Sequence, residues 1–239
     1  MTQKILHVIG TGPGAPDLLP VRSVKILREA KLIFAAASST RDFSACLNIA
    51  GPWLGPDVRK IRLDFPMTKD AHKLREAWSL AAKTCLAEMK DYASAVFLTL
   101  GDPLLYSTFI YLCRELVKQN KNLAVNIVPG IASFQAAAAK CHFPLCEGKE
   151  SLRIISGTGK EEELAQALAS QDNIVILKVY RNFRLIRELL RETGRLENAL
   201  LVTQVENREE RIIARLKEIS ETPHYMSLIL SHKEKLKES

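Results

Sequence analysis

The run VFLTLGDPLLYS at 96–107 constrains the fold of this chain more than any other segment. Its first five residues are apolar or β-branched, which is typical of a strand buried on both faces of a parallel sheet. We therefore expect a strand in the middle of a sheet. Gly101, Asp102 and Pro103 then end the strand, because glycine permits unusual backbone angles, aspartate bonds its own backbone and proline cannot donate to a ladder.

A helix is predicted directly after this turn. Apolar side chains recur there at helical spacing, at Leu105, Phe109, Leu112 and Leu116. Ser107 or Thr108 is placed to bond local backbone near the helix start. In parallel α/β sheets, ligands bind in the crevice beyond the carboxyl ends of the strands, so this turn is the first candidate site.

Strand-like and helix-like segments alternate along the rest of the chain, which predicts an α/β protein with two α/β/α layers. The expected strands are 5–9, 32–36, 61–65, 96–100, 123–128, 152–155, 174–179, 199–202 and 226–230. The expected helices are 21–27, 74–89 with Thr68 or Asp70 as its cap, 105–116, 135–139, 161–170, 184–193 and 208–219. The polar run at 118–122 is the predicted boundary, with domains 1–118 and 119–239.

Composition places the chain among soluble globular proteins, since 47% of its 239 residues are hydrophobic and 26% are charged. Its longest apolar runs are far too short to cross a bilayer, so no membrane partner is expected. The first residues enter a strand-like run at once and leave no room for a signal peptide, which predicts a cytoplasmic protein. The five cysteines form no C-x-x-C pair. Cys141, His142 and Cys146 lack a second paired cluster, so no protein-bound metal is expected.

The net charge of +7 favours a polyanionic partner. Between 181 and 217, however, basic residues alternate with glutamates, which is typical of solvated helix faces and not of a stripe that follows phosphates. Nucleic acid is therefore not expected. A small substrate with several carboxylates suits scattered Arg and Lys side chains equally well.

The loop after the first strand leaves two alternatives open. Gly10, Gly12 and Ala15 match a variant of the dinucleotide-binding fingerprint, which would indicate a Rossmann dehydrogenase. Pro13 and Pro16 argue against it, because a pyrophosphate cradle needs backbone N–H groups and a helix N-terminus there. The next strand also lacks a following acidic residue to hold a ribose. A tight strand-to-helix turn without any ligand is the second alternative.

Three motifs occur in order along the chain: GTGPGAPDLL at 10–19, LGDPLLYST at 100–108 and VPGIAS at 128–133. Together they resemble the tetrapyrrole (corrin and porphyrin) methyltransferase family, which uses S-adenosylmethionine, and the resemblance covers nearly the whole chain. The segments FPMTKD at 65–70, YSTF at 106–109 and SFQAAAA at 133–139 are most similar to the subgroup that methylates C20 of precorrin-2 or cobalt-precorrin-2 in cobalamin biosynthesis.

The resemblance implies two α/β/α domains with the active-site cleft between them, a homodimer, and a methyl donor bound without a protein-bound metal. The donor contacts that it implies are Pro13, Leu100, Gly101, Asp102, Leu105, Tyr106, Ala132, Ser133, Leu177 and Gln204. The substrate contacts that it implies are Gly12, Pro13, Gly14, Ser107 and Thr108. Plainer readings stay open, with Leu105 and Leu177 as core residues and Ser133 as a helix cap.

Three positions depart from the family pattern. Pro20 stands where a threonine is common, Ala132 replaces a usual serine or threonine, and Gln204 lies where many members carry an arginine. None of them touches the Gly-Asp-Pro turn. The sequence assigns no acceptor for the meso proton and does not distinguish the metal-free from the cobalt-bound substrate. A methyltransferase of the same fold that acts at another tetrapyrrole position, or on RNA, is the alternative within the family.

Overall fold

The computed structural model describes residues 3–37, 40–66, 68, 70–219 and 221–233. It divides into two compact units, Met1–Ala132 and Ser133–Ser239. Within these described ranges, none of the helices combines the length and apolar character that crossing a membrane requires.

The first unit is built on a five-stranded sheet in the order β3-β2-β4-β1-β5, and its paired strands all run parallel. Its strands are β1 Ile5–Gly10, β2 Leu32–Ala37, β3 Arg59–Asp64, β4 Ser94–Thr99 and β5 Ala124–Val128. Its helices are α1 Val21–Glu29, α2 Thr40–Ala50, α3 Ala71–Glu88 and α4 Phe109–Gln119. The prediction that 96–100 forms a buried central strand is confirmed, because β4 is the third strand of the five and is buried from its second residue onward.

Helices cover both faces of this sheet, and the alternation of side chains along β4 shows it. Phe97 packs into the cluster that holds Phe109 of α4 and Cys85 of α3, with the two phenyl rings 5.3 Å apart. Its neighbours Val96 and Leu98 point to the other face and join the cluster of α1 and α2. Successive strand residues face opposite sides, so a continuous apolar run needs two covers. The α/β/α arrangement predicted for this part of the chain is confirmed.

The predicted helix caps of the first unit also form. The Asp70 carboxylate accepts from the backbone N–H groups of His72, at 2.9 Å, and of Lys73, at 3.3 Å. Ser107 Oγ accepts from the backbone N–H of Phe109 at 3.2 Å, two residues along the chain. Each cap satisfies amides that have no partner within their own helix. Residues 67 and 69 of the 65–70 motif lie outside the described residues.

The second unit carries a mixed sheet in the order β6-β7-β10-β8-β9. Its strands are β6 Leu152–Ser156, β7 Asn173–Leu177, β8 Ala199–Thr203, β9 Arg211–Ile213 and β10 Ser227–Ser231. Its helices are α5 Ser133–Lys140, α6 Glu161–Ala169 and α7 Phe183–Glu192. Among the described strands of this unit, β6 and β7 pair in parallel and the other three pairs are antiparallel. A core cluster joins α6 and α7 to β7, β8 and β10.

The structure corrects two sequence predictions. The helix predicted at 208–219 is wrong: Arg211–Ile213 is an edge strand paired antiparallel with β8, and only Leu216–Glu218 forms a 3-10 turn. The strand predicted at 123–128 was assigned to the second domain, but it pairs in parallel with β1. The division of the chain therefore falls after Ala132 and not at the polar run 118–122, which is only the loop between α4 and β5.

Arg195 is the largest fully buried side chain of the second unit, and its exposed fraction is 0%. Its Nε donates to the carbonyl of Leu168 at 2.8 Å, and its Nη2 donates to the carbonyls of Ser170, at 2.6 Å, and Asp172, at 2.9 Å. These three carbonyls belong to the end of α6 and the loop before β7. One guanidinium thus satisfies the backbone acceptors of a helix end that is turned inward.

Candidate active site

The carboxyl ends of β1, β4 and β5 lie side by side in the first sheet, and a loop leaves each of them. These loops are the three motif segments that the sequence analysis singled out. Ligands of parallel α/β sheets bind beyond the carboxyl ends of the strands, and we call this end of the sheet its carboxyl edge. The predicted site residues on the three loops of this edge are Gly12, Pro13, Gly14, Leu100, Gly101, Asp102, Leu105, Tyr106, Ser107, Thr108 and Ala132.

Three glycines bring these loops into direct backbone contact. A Cβ on Gly10 would lie 2.5 Å from the Gly101 carbonyl oxygen and 2.6 Å from the Gly130 nitrogen. A Cβ on Gly130 would lie 2.2 Å from the Gly101 carbonyl oxygen and 2.7 Å from the Gly10 carbonyl group. No side chain fits at either position. Gly12 adds a reciprocal pair of hydrogen bonds, since its N–H donates to Gly101 at 3.3 Å and its carbonyl accepts from Gly101 at 2.9 Å.

The Asp102 carboxylate links two of the loops. One oxygen accepts from the backbone N–H of Leu104 at 2.8 Å, and the other accepts from the backbone N–H of Gly130 at 3.1 Å. Hydrogen bonds to an ionised acceptor are stronger than those to a neutral one. The side chain therefore shapes its own turn and holds the loop after β5 against it. A contact between Asp102 and the methyl donor stays a prediction.

We expect Asp102→Ala to loosen this edge. The variant loses two charge-assisted hydrogen bonds and leaves the Gly130 amide without its acceptor, so the free energy of unfolding should fall by about 2 kcal/mol. Urea denaturation measures this change, and calorimetric titration with S-adenosylmethionine should show weaker binding. The matched control is Asp57→Ala, which removes an exposed carboxylate elsewhere in the same unit. Equal unfolding midpoints and equal donor affinities for the two variants would contradict the role given to Asp102.

A network of buried hydroxyl groups stabilises the Gly101–Asp102 turn on its inner side. Thr99 Oγ1 and Ser107 Oγ lie 3.0 Å apart, and Thr11 donates to the Thr99 carbonyl both from its N–H, at 2.8 Å, and from its Oγ1, at 3.2 Å. Thr11 is 0% exposed and Ser107 only 7% exposed. The structure thus gives Ser107 a supporting place inside the loop, and its predicted substrate contact stays a prediction. Sequence reasoning missed Thr11 and Thr99, whose one signal is a hydroxyl in an otherwise apolar strand end.

The outer part of the turn is strained and exposed. Tyr106 has a φ of 49°, in the left-handed region that non-glycine residues rarely adopt. Such a conformation costs on the order of 1–3 kcal/mol and is concentrated at functional sites. Tyr106 is also 45% exposed, and the nearby Leu104 is 59% exposed. The turn therefore presents an aromatic and an aliphatic side chain outward, as a loop that receives a ligand does.

Two predicted site residues of the second unit, Leu177 and Gln204, lie at the same end of its sheet. Leu177 ends β7 and Gln204 follows β8, while β10 begins between them and runs the opposite way. The Gln204 N–H donates to the Met226 carbonyl at 2.8 Å, which extends the ladder by one residue. Gln204 and Lys178 both adopt left-handed backbone, with φ of 51° and 58°. Ser133, the remaining predicted contact, is the first residue of α5.

An aromatic cluster that sequence reasoning missed lies at the same edge. The rings of Tyr180 and Tyr225 meet edge to face at 6.3 Å, and the His224 ring lies 4.9 Å from Tyr225. Next to β7, burial lowers the pKa of Lys178, and the nearby Arg181 lowers it further. The cluster joins segments more than forty residues apart in the chain, so no local pattern could reveal it.

The chemistry of both edges is that of binding and alignment. The first offers backbone N–H and carbonyl groups and buried hydroxyls, and the second offers a glutamine amide, aromatic rings and a lysine whose pKa is lowered. Among the described side chains, no group of three or more His, Cys, Asp or Glu residues is placed to hold a metal ion.

Solved structures define the class of protein to which this fold belongs. A cobalt precorrin-4 methyltransferase has a TM-score of 0.72 and 21% identity, with 95% of this chain and 94% of that chain covered. A uroporphyrin-III C-methyltransferase from Thermus thermophilus, complexed with S-adenosylhomocysteine, has a TM-score of 0.70 and 20% identity, with 95% and 97% covered. At this identity the likeness concerns the fold alone, which is that of the tetrapyrrole methyltransferases.

The family follows from the sequence itself. The sequence profile of the Tetrapyrrole (Corrin/Porphyrin) Methylases matches residues 5–220, so the chain belongs to that family and is a methyltransferase. The resemblance found in the three motifs is confirmed, and the dehydrogenase alternative is excluded.

Relatives at higher identity narrow the position of the chain within the family. A cobalt-precorrin-2 C(20)-methyltransferase of Salmonella typhimurium is 36% identical over 231 residues, which is 96% of both chains. A precorrin-2 C(20)-methyltransferase of a Sinorhizobium species is 29% identical, covering 93% of this chain and 92% of that protein. A probable cobalt-precorrin-2 C(20)-methyltransferase of Methanocaldococcus jannaschii is 32% identical over 73% of this chain and 72% of that protein.

Proposed function

We propose that this protein transfers a methyl group from S-adenosylmethionine to C20 of precorrin-2 or cobalt-precorrin-2 in cobalamin biosynthesis. The observation that carries the proposal is the 36% identity, over 96% of both chains, with a protein named for this reaction. The relatives named for the metal-free and for the cobalt-bound substrate both match nearly the whole chain, so the choice between the two substrates is left to experiment.

The reaction asks the protein mainly for alignment. The electron-rich C20 carbon attacks the methyl group in line, the bond from that methyl to the sulfonium sulfur breaks, and S-adenosylhomocysteine leaves. The meso proton at C20 is then lost. Holding two reactants in the reacting geometry can contribute roughly 7–11 kcal/mol to lowering the barrier. The close backbone contacts among Gly10, Gly101 and Gly130 hold the three motif loops against one another, which favours a fixed arrangement of this surface.

The donor contacts within this proposal are the residues carried over from the family motifs. The exposed Tyr106 and the turn at Gly101 and Asp102 support it in the first unit. In the second unit it is supported by the left-handed Gln204, which lies at the same end of the sheet as Leu177 with β10 between them. The methyl donor requires no protein-bound metal, because the sulfonium is itself the activating group. We further propose a cytoplasmic homodimer that acts on neither nucleic acid nor membranes.

The experiment is incubation with methyl-labelled S-adenosylmethionine and either precorrin-2 or cobalt-precorrin-2, followed by mass measurement and NMR location of the label. We expect one added methyl group at C20, formed faster on one of the two macrocycles. The matched reaction without enzyme controls for spontaneous transfer. Label at another carbon would favour a different tetrapyrrole position. If the protein bound S-adenosylmethionine but neither macrocycle became labelled, the proposal that precorrin-2 or cobalt-precorrin-2 is the substrate would be contradicted.

A further inference from the structure

The second unit contains a cavity of about 330 Å³ beside the hairpin of β8 and β9. One face of the hairpin lines it, through two successive cross-strand pairs: Thr203 with Arg211, and Leu201 with Ile213. The remaining lining comes from Gln204, Arg215, Glu218, Ile219, Glu221, Thr222, Pro223 and His224. A volume of this size falls at the lower end of small-ligand pockets, which span roughly 300–1,000 Å³.

The cavity reaches the edge of the sheet at which the candidate site residues of this unit lie. Gln204, a predicted donor contact, forms part of its lining, and so does His224 of the aromatic cluster. A ligand bound at this edge therefore has access to the cavity. Its apolar surface comes from Leu201, Ile213 and the 3-10 turn region near Ile219.

The two arginines that line the cavity differ in whether they form an ion pair. Arg215 is paired with Glu218, with Nη1 3.4 Å from the carboxylate oxygen. The exposed side chain of Arg211 also lines the cavity, and it has neither an ion pair nor a hydrogen bond with the described residues. Glu221 also lines the cavity, so its two arginines and two glutamates carry a formal net charge of zero. Arg211 therefore offers a single positive charge outside the Arg215 pair, which suits one carboxylate better than a phosphate, since a phosphate carries more charge.

The neutral donors of the cavity favour the same ligand. His224 Nδ1 accepts a hydrogen bond from the Met226 N–H at 3.1 Å, so the neutral ring carries its proton on Nε2 and has a donor to offer. Thr203 adds a hydroxyl. An arginine fork matches the two oxygens of a carboxylate, and the apolar lining matches a hydrocarbon stem.

We propose that this cavity binds one carboxylate side arm of the tetrapyrrole, with Arg211 as its charged contact. The inference rests on the proposed function and assigns to Arg211 the binding of the substrate, not of the methyl donor. Arg211 lies on β9, the outermost strand of the sheet, opposite Thr203. The arm therefore enters beside these two residues, and its hydrocarbon stem runs along Leu201 and Ile213.

Steady-state kinetics of Arg211→Gln test the assignment. The KM for the tetrapyrrole should rise about tenfold to a hundredfold, which is the range expected for a lost hydrogen-bonded charge. The kcat and the KM for S-adenosylmethionine should stay within about twofold. Arg211→Lys should recover part of the loss. The matched control is Arg208→Gln, an exposed arginine three residues earlier that does not line the cavity.

A binding measurement separates this proposal from the proposed reaction. Uroporphyrin, a stable tetrapyrrole with carboxylate arms, is titrated against the full chain by fluorescence, and Arg211→Gln should weaken its binding about tenfold while Arg208→Gln should not. Equal behaviour of the two variants in both assays would overturn the cavity assignment, even with methyl transfer at C20. A rise in the KM for S-adenosylmethionine alone would overturn it as well. If Arg211→Gln weakened uroporphyrin binding but the native chain transferred no methyl group, the cavity assignment would be supported and the proposed reaction contradicted.

Discussion

Replacing Gly130 by alanine should lower the free energy of unfolding by about 3 kcal/mol and remove most of the methyl-transfer activity. The added Cβ would stand 2.2 Å from the Gly101 carbonyl oxygen and 2.7 Å from the carbonyl of Gly10. Both neighbours are backbone: Gly10 is held in the ladder of β1 with β4, and Gly101 by its two hydrogen bonds with Gly12. Neither can rotate away as a side chain would. Urea denaturation followed by circular dichroism measures the loss of stability.

The activity should fall because the three motif loops share this contact. Moving the loop after β5 away from Gly10 also stretches the hydrogen bond from Gly130 N–H to Asp102, which is 3.1 Å long in the native chain. The donor should then bind less tightly, which calorimetric titration with S-adenosylmethionine would show. The matched control is Gly51→Ala, since a Cβ at Gly51 meets nothing within 4 Å. If Gly130→Ala unfolded at the same urea concentration as Gly51→Ala, the close contact would not be as described.

Replacing Arg195 by methionine should lower the free energy of unfolding by roughly 3–5 kcal/mol, because three backbone carbonyls lose their donor at a cost of about 1–3 kcal/mol each. The side chain is 0% exposed, and its guanidinium supplies the hydrogen bonds of the Leu168, Ser170 and Asp172 carbonyls. Methionine fills much of the same volume but donates nothing, so three acceptors lose their partner in the interior. The midpoint of urea denaturation should fall with little change in its slope.

Arg191→Met is the matched control for this second variant. Arg191 lies on the exposed side of α7 and pairs with Glu188, and exposed pairs of this kind contribute little. We expect its unfolding midpoint to stay close to that of the native chain. The Arg195 variant should retain normal methyl transfer at a temperature where it is fully folded, because its contacts lie in the loop before β7 and not at the candidate edge. A selective loss of kcat in a folded Arg195 variant would contradict a purely structural role.

The elements that sequence reasoning predicted correctly are those with a strong local signal. The apolar run at 96–100 is long enough to require burial on both faces, and the structure places it third of five strands. The Asp70 cap and the bond from Phe109 N–H to Ser107 likewise depend on residues two or three apart. The three motifs at 10–19, 100–108 and 128–133 identified the family for the same reason, because each is one continuous segment around a turn.

The elements that it predicted wrongly depend on partners distant in the chain. Nothing near Ala124–Val128 shows that this strand pairs with β1, more than a hundred residues earlier. The strand Arg211–Ile213 has three residues, which is too short for an alternating pattern to stand out from the helical pattern predicted over 208–219. Its pairing with β8 makes this segment a strand. The candidate site also depends on residues distant in the chain, since the carboxylate of Asp102 accepts from the N–H of Gly130, twenty-eight residues away.

The sequence by itself therefore determined the α/β class, the central strand, the three motif turns and the methyltransferase family, because turn chemistry and side-chain periodicity are local properties. Only the tertiary structure decided which strands share a sheet, that the second sheet is mainly antiparallel, and that Gly10, Gly101 and Gly130 touch through their backbones. It also brought Arg211 to the cavity at the edge of the second sheet. Strand pairing and close backbone approach join distant residues, and their free energy arises only when the whole unit has folded.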